Sequence, residues 1–245
     1  MAAQTELLFT ALVVMIAYLI RGLSGFGSGL IAVPVLALHH PLPLVVPVIL
    51  TLDFVASFIL GGANRKEADW GEIRRLVPFG AIGALLGVFA LLRFPPAPVL
   101  IALAAFVIFF GMRNVLGVKP EGEVSSAWAV PAGLVGSGAG ALFGTSAPPY
   151  VIYLTHRLAD KASVRATFSC LFIIDGGFRL ALLVGAGLLW KEQVQSAILW
   201  SMLPMMAGLY LGNRVHLGIS NATMLKIIGV VLVVNGIMLI AKVLL

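Results

Sequence analysis

Charge is scarce in this chain: only 11% of the 245 residues are Asp, Glu, Lys or Arg, where a soluble domain carries about a quarter. With 60% hydrophobic residues and a mean hydropathy of +1.08, the chain cannot clothe itself for water, and an ordinary soluble fold is excluded. Cysteine is scarcer still. Cys170 stands alone inside an apolar stretch, which excludes an internal disulfide and a cysteine-based metal cluster and marks the residue as packing. No metal-ligand spacing and no Gly-x-x-x-x-Gly-Lys-Ser/Thr pattern occurs, so neither a metal, a cofactor nor ATP-driven work by this chain is expected. Residues 1–10 hold Glu6 but no Lys or Arg. A secretory signal opens with positive charge, so the first apolar run reads as a retained helix. Long polar termini and loops are lacking too, which leaves no room for a soluble regulatory or nucleotide-binding domain.

What the chain has instead is apolar runs, such as 99–110, 197–211 and 227–245, with charged residues mostly confined to the short gaps between them. A membrane span needs about 20 apolar residues. The expected fold is therefore all-α, a polytopic integral membrane protein. The net charge of +6 would suggest nucleic acid in a soluble protein, but here Lys and Arg sit in short loops, where cytoplasmic retention accounts for them. Membrane lipid is the implied partner, nucleic acid is not, and a homo-oligomer stays open.

The runs repeat. Gly25-Phe26-Gly27-Ser28-Gly29 is answered by Gly144-Thr145-Ser146-Ala147-Pro148 at an offset of 119, Asp53 by Asp175 at 122, Pro78 by Pro204 at 126, and Gly83 to Gly87 by Gly208 to Gly212 at 125. Colinear offsets that drift by a few residues indicate an internal repeat. The expected division is a first transmembrane repeat over 1–118, a connecting loop over 119–126 and a second repeat over 127–245, each a broken segment followed by three spans.

The first broken segment, residues 7–38, would be about 48 Å long as one helix, too long for a single crossing. If it crosses once, the basic loop residues divide seven against six between the two sides. If it folds back, Arg65, Lys66, Arg74, Arg75, Arg113, Lys119, Arg157, Lys161, Arg165, Arg214 and Lys226 share one side, against Arg93 and Lys191. That strong bias selects the fold-back. It gives each half an odd number of crossings, so the two repeats are expected to be inverted, a recurrent plan of secondary transporters.

The breaks carry the chemistry. Gly, Ser and Pro inside apolar surroundings cost helix stability that ordinary spans avoid. Thr145 or Ser146 can cap a helix beginning near Pro148, and Ser24 or Ser28 can cap one running to Leu38, beside Gly25, Gly27 and Gly29. Two helix N-termini would meet in mid-membrane, and their N–H groups, dipoles and neighbouring hydroxyls favour an anion. The bland alternative is close helix packing by small residues. Arg21 adjoins the first break and can attract an anion or snorkel to an interface. Asp175 and Arg179 stand four apart on one helix face and can neutralise each other. Asp53 has no cation nearby in sequence; its repetition as Asp175 suits a coupling proton or cation, although both could instead lie near helix ends. His39 and His40, before Pro41, read as loop histidines, with a pH-sensitive gate as the alternative.

The sequence resembles the TauE/SafE-type sulfite exporter family of membrane permeases. The likeness rests on the run from Gly25 to Leu36 with its Gly-Phe-Gly-Ser-Gly and Pro34, and on the Gly-x-x-x-Pro-Pro of Gly144 to Pro149 with the apolar and Tyr residues that follow. The resemblance implies a permease of the plasma membrane with about eight transmembrane helices, moving sulfite, sulfonates or related small organic anions. Ser28, Ser146 and Ala147 replace glycines of the family pattern, which unsettles sulfite itself as the substrate. The resulting site set is Arg21, Ser24, Gly25, Gly27, Ser28, Gly29, Gly144, Thr145, Ser146 and Pro148, with Asp53, Asp175 and Arg179 as coupling or structural charges and no catalytic residue. Two rivals are an anion channel, which broken helices can also line, and an intramembrane peptidase with Ser28 as nucleophile and His39, His40 or His156 as base.

Overall fold

A computed structural model describes residues 2–61, 65–117, 122, 124–214 and 221–244. Lys119 and half of the expected linker lie outside them. Every regular element among the described residues is helical. In order these are α1 (Ala2–Ser24), α2 (Ser28–Ala37), α3 (Leu42–Gly61), α4 (Trp70–Arg93), α5 (Pro96–Leu116), α6 (Ala129–Phe143), α7 (Ala147–Arg157), α8 (Lys161–Gly185), α9 (Glu192–Arg214) and α10 (Asn221–Leu244), with three short 3-10 turns between. Eight of them contain a segment long and apolar enough to cross a membrane, and α2 and α7 are shorter. Burial is inverted relative to a soluble protein: Leu199 and Leu203 are 73% and 77% exposed, while Arg21, Asp53, Glu72, Asp175 and Arg179 are buried. Lipid is the solvent that makes this arrangement favourable.

Local chemistry sets the boundaries. Asp69 and Asp160 cap α4 and α8 by accepting the backbone N–H of Glu72 (3.0 Å) and Ser163 (2.9 Å). Pro96 suits the first turn of α5, and Gly117 ends that helix in the left-handed region. The first break follows from Gly25 and Gly27, whose φ values of 86° and 100° other residues rarely adopt.

Each broken segment turns back on itself. The ring of His39, just beyond α2, lies 4.9 Å from that of Phe9 near the start of α1. Arg157, the last residue of α7, donates to the carbonyl of Val124, just before α6 (3.1 Å). Lys242 of α10 donates to the carbonyls of Ala37 and Leu38 at 3.0 Å each. The starts of α1 and α3 and the ends of α2 and α10 therefore share one end of the bundle. The starts of α4 and α8 meet at the other, where the backbone N–H of Asp69 donates to Thr167 Oγ1 of α8 at 2.8 Å.

The main packing pairs are α1 with α9, α4 with α6 and α5 with α10, followed by α8 against α4 and α3. Glycines bring the first two pairs close. A Cβ on Gly83 or Gly87 of α4 would overlap the carbonyl of Leu134 or Gly138 on α6, and one on Gly208 or Gly212 of α9 would overlap that of Met15 or Leu19 on α1. Met15 plus 119 is Leu134 and Leu19 plus 119 is Gly138, so equivalent glycines meet equivalent carbonyls.

Candidate functional site

The two breaks touch. A Cβ on Gly29, in the first turn of α2, would overlap the carbonyl oxygen of Gly144, which ends α6 in the left-handed region at φ 67°. Only a glycine lets the two segments cross this closely. Neither half-helix is capped as the sequence suggests. The N-cap of α2 is Gly27, not Ser24 or Ser28, and it makes no side-chain cap. The Ser24 hydroxyl instead donates back to the carbonyl of Ile20 at 2.8 Å. Ser146 does occupy the N-cap of α7, but its hydroxyl makes no cap either. Pro148 and Pro149 follow in the first turn, and because proline has no N–H, α7 offers fewer free donors than α2.

Both serine hydroxyls are used by buried charges. In the first half, Asp53 lies inside α3, not at its end, and Oδ1 is 2.5 Å from Arg21 Nη1. The same oxygen accepts from Ser28 Oγ (2.5 Å) and Tyr18 Oη (2.7 Å). Arg21 does not snorkel. It is 3% exposed, and it donates to Ser28 Oγ (3.1 Å), the Asp53 carbonyl (3.1 Å) and Ser57 Oγ (2.7 Å). The cation missing from the sequence neighbourhood of Asp53 thus comes from α1, across the helix pair. No peptidase dyad forms, since the hydrogen bonds of Ser28 go to Asp53 and Arg21.

In the second half, Asp175 lies inside α8 and Arg179 Nη2 sits 3.0 Å from its Oδ2. Ser137 on α6 donates to Asp175 Oδ1 at 2.5 Å, and Arg179 Nη2 donates to Ser146 Oγ at 3.3 Å. Here the satisfaction is less complete. Asp175 Oδ2 touches the guanidinium without an aligned hydrogen bond, and Arg179 Nη1 has no hydrogen-bond partner. In the first half, among the described residues, Arg21 Nε is left over.

The two networks meet at one ring. The guanidinium carbons of Arg21 and Arg179 lie 5.2 and 5.1 Å from the centroid of Phe172, within cation–π range. Beside that ring is a cavity of about 10 Å³, room for a single water. Arg21, Gly27, Ser28, Gly29, Asp53, Thr145 and Ser146 line it, with Phe172 and Phe168. Ser24, Gly25, Gly144, Pro148, Asp175 and Arg179 do not.

The ends differ. Where α4 and α7 meet, buried Glu72 accepts from Arg157 (2.9 and 3.0 Å), Arg75 (2.6 Å) and Tyr153 (2.5 Å). At the opposite end, where α9 faces the close of α2, there is a largely apolar cavity of about 430 Å³ reaching His40, Ser196 and Trp200.

Sequence reasoning did not find Tyr18, Ser57, Ser137, Phe172 or the Glu72 cluster. A signal existed for the first and third. Tyr18 and Ser137 are separated by 119, the offset of the breaks, and each donates to the aspartate of its own half.

Residues 10–239 match the family described as sulfite exporter TauE/SafE. Among curated proteins, the chain is similar to the probable inner membrane transporter protein TsaS of Comamonas testosteroni, 27% identical over 193 residues that cover 78% of this chain and 80% of that protein. No solved structure matches.

Proposed function

The chain belongs to the sulfite exporter TauE/SafE family of membrane transporters, and from that premise we propose that it carries a small anion, sulfite or an organosulfonate, through a site where its two broken helices meet. The observation that carries this reading is the crossing of Gly29 and Gly144 beside the buried guanidinium of Arg21. Helix N-termini and a fixed cation there supply what a desolvated oxyanion needs. The residues that bind it are Arg21, Ser28, Thr145 and Ser146 with the backbone of Gly27 and Gly29; Ser24, Gly25, Gly144 and Pro148 shape the breaks. Asp53 and Asp175 are the groups at which a proton couples to movement, because neutralising either releases a guanidinium to the substrate.

Helices α1–α5 and α6–α10 are two repeats of opposite orientation. The reciprocal packing of α1 on α9 and α4 on α6 and the matching glycine contacts support this, as do the fold-backs at opposite ends. The end that gathers Arg74, Arg75, Arg113, Arg157 and Arg214 faces the cytoplasm, in the plasma membrane, as the name of the TsaS relative suggests. The single-water cavity at the breaks favours a carrier that must change shape over an open anion channel.

Thermal unfolding of the purified protein in detergent, with sulfite, sulfate, sulfoacetate and simple carboxylates, tests the reading, since an anion that binds the folded state raises the midpoint. One anion should stabilise, and Ser28→Ala and Ser146→Ala should each weaken the effect. A folded protein that responds to none of these anions sinks the proposal. Saturable counterflow in liposomes then separates carrier from channel.

A further inference from the structure

Aligned by their offsets, the two halves have no arginine in common. Arg21 on α1 corresponds to Gly140 on α6 at 119, and Arg179 on α8 corresponds to Ser57 on α3 at 122. In space, however, each half has one guanidinium in the same setting. Arg21 reaches from the break helix to Ser57 on the aspartate helix, at 2.7 Å. Arg179 reaches the other way, from the aspartate helix to the break helix, where a Cβ on Gly140 would overlap its Nη1. Each pairs with the aspartate of its own half and each touches the serine at its own break, Arg21 to Ser28 and Arg179 to Ser146. Each lies about equally far from Phe172. The head group is retained and its anchor has changed helix.

We infer that Arg179 is the second anion-recognition group of the central site, the counterpart of Arg21, and that the site binds one oxyanion between two guanidiniums with Phe172 as the movable spacer. The inference rests on the central-site reading above. An internal counter-ion for Asp175 needs only charge. Arg179 goes beyond that role: it is completely buried and keeps Nη1 without a partner, as Arg21 keeps Nε. Arg179 Nη1 packs against Gly140, outside the small cavity, so an oxyanion reaches it when Phe172 and Ser146, which line the cavity and touch Arg179, give way. Its several acceptor oxygens then satisfy N–H groups that are costly to leave unused in a buried site. A planar fork suits such a head group, whereas a lysine ammonium supplies charge without that geometry.

The test compares Arg21→Lys and Arg179→Lys, which keep a cation beside each aspartate, by titrating the detergent-purified protein with sulfite and with sulfoacetate. Both variants should remain folded and both should lose about tenfold or more in apparent affinity, the loss of one well-formed charge-assisted hydrogen bond. An Arg179→Lys protein that binds like the parent while Arg21→Lys is impaired overturns the inference and leaves the central site standing with one arginine. A parent protein that binds neither anion overturns both. A second variant moves the anchor: Arg21→Gly with Ser57→Arg reproduces in the first half the arrangement of the second. It should regain the binding that Arg21→Gly loses, and a folded double variant without binding contradicts the exchange. Where the exchange unfolds the protein, the lysine pair decides.

Discussion

Asp53 and Asp175 hold matching places in the two halves, yet they are secured with different completeness. Asp53 Oδ1 collects Tyr18, Ser28 and Arg21, donors from two other helices. Asp175 has Ser137 from α6 and Arg179 from its own helix, and its Oδ2 and Arg179 Nη1 lack an aligned hydrogen bond. The first half therefore ties α1, α2 and α3 together through one carboxylate, while the second leaves its aspartate network partly unused. A fully satisfied polar network is the more rigid one, so on the proposed central-site reading the second half is the one expected to rearrange when an anion binds.

The largest test of that contrast is removal of each carboxylate. Asp53→Ala should destabilise the protein by about 3–5 kcal/mol, because it strands a buried guanidinium and two hydroxyls. Asp175→Ala should cost less, since it strands the hydroxyl of Ser137 where Asp53→Ala strands those of both Tyr18 and Ser28. Thermal unfolding in detergent ranks the two, and the opposite ranking breaks the comparison. Gly29→Ala comes next. It forces a Cβ into the carbonyl of Gly144, and overpacking of this kind costs about 1–3 kcal/mol. Gly27→Ala has open space around it and suffers only from its backbone conformation, about 1–2 kcal/mol. Transport should fall more steeply in Gly29→Ala, where the two breaks are pushed apart.

The two ends of the bundle make a parallel contrast. Glu72 closes one end by joining α4 to α7, and the place that corresponds to it in α9 is apolar, beside the large cavity. Glu72→Gln keeps the shape but loses the ion pairs. With Arg75 half exposed and Arg157 partly so, the expected cost is about 1–2 kcal/mol. Water should then reach the central cavity more readily from the α4–α7 end. A cysteine placed at Phe26, in a Cys170→Ser background, should be labelled faster by a water-soluble reagent. An unchanged labelling rate means that Glu72 ties the helices without gating them.

These contrasts mark where the sequence was readable and where it was not. The helical membrane fold and the positions of both breaks followed from hydropathy and from the Gly-Ser-Pro clusters, because lipid forces every backbone group into local hydrogen bonds and leaves little choice of fold. The matching aspartates were visible through the offset. So was the Arg179 partner of Asp175, four residues on. The partner of Asp53 was not: Arg21 reaches it across 32 residues, and the position in α3 that corresponds to Arg179 is a serine. A repeat comparison finds residues that stay in place. It misses a head group that keeps its location while its anchor moves to the facing helix. The caps failed for a related reason, since Ser28 and Ser146 satisfy buried charges in place of helix N–H groups.

The smallest contrast lies between the two aspartate caps, and it separates charge from capping. Asp69 holds the N–H of Glu72 and so positions the clamp, whereas Asp160 is exposed and serves α8 alone. The N–H of Ser163, and after it that of Ala162, keep the Asp160 carboxyl below the usual carboxylate range. A carboxylate depressed in the folded state contributes stability above its unfolded pKa, about 3.9, and loses it as pH falls through the lower folded value. Between pH 7 and about pH 4 its contribution is therefore constant, and it fades only below. Asparagine caps equally well without titrating. Asp160→Asn should match the parent's unfolding midpoint at pH 7 and fall slightly less than the parent below pH 4. Asp69→Ala, by contrast, should lower the midpoint at every pH and speed labelling at Phe26, because it loosens Glu72. If the Asp160→Asn and parent curves stay parallel down to about pH 3, the cap at α8 acts through hydrogen-bond geometry alone, and charge matters only at the buried pairs.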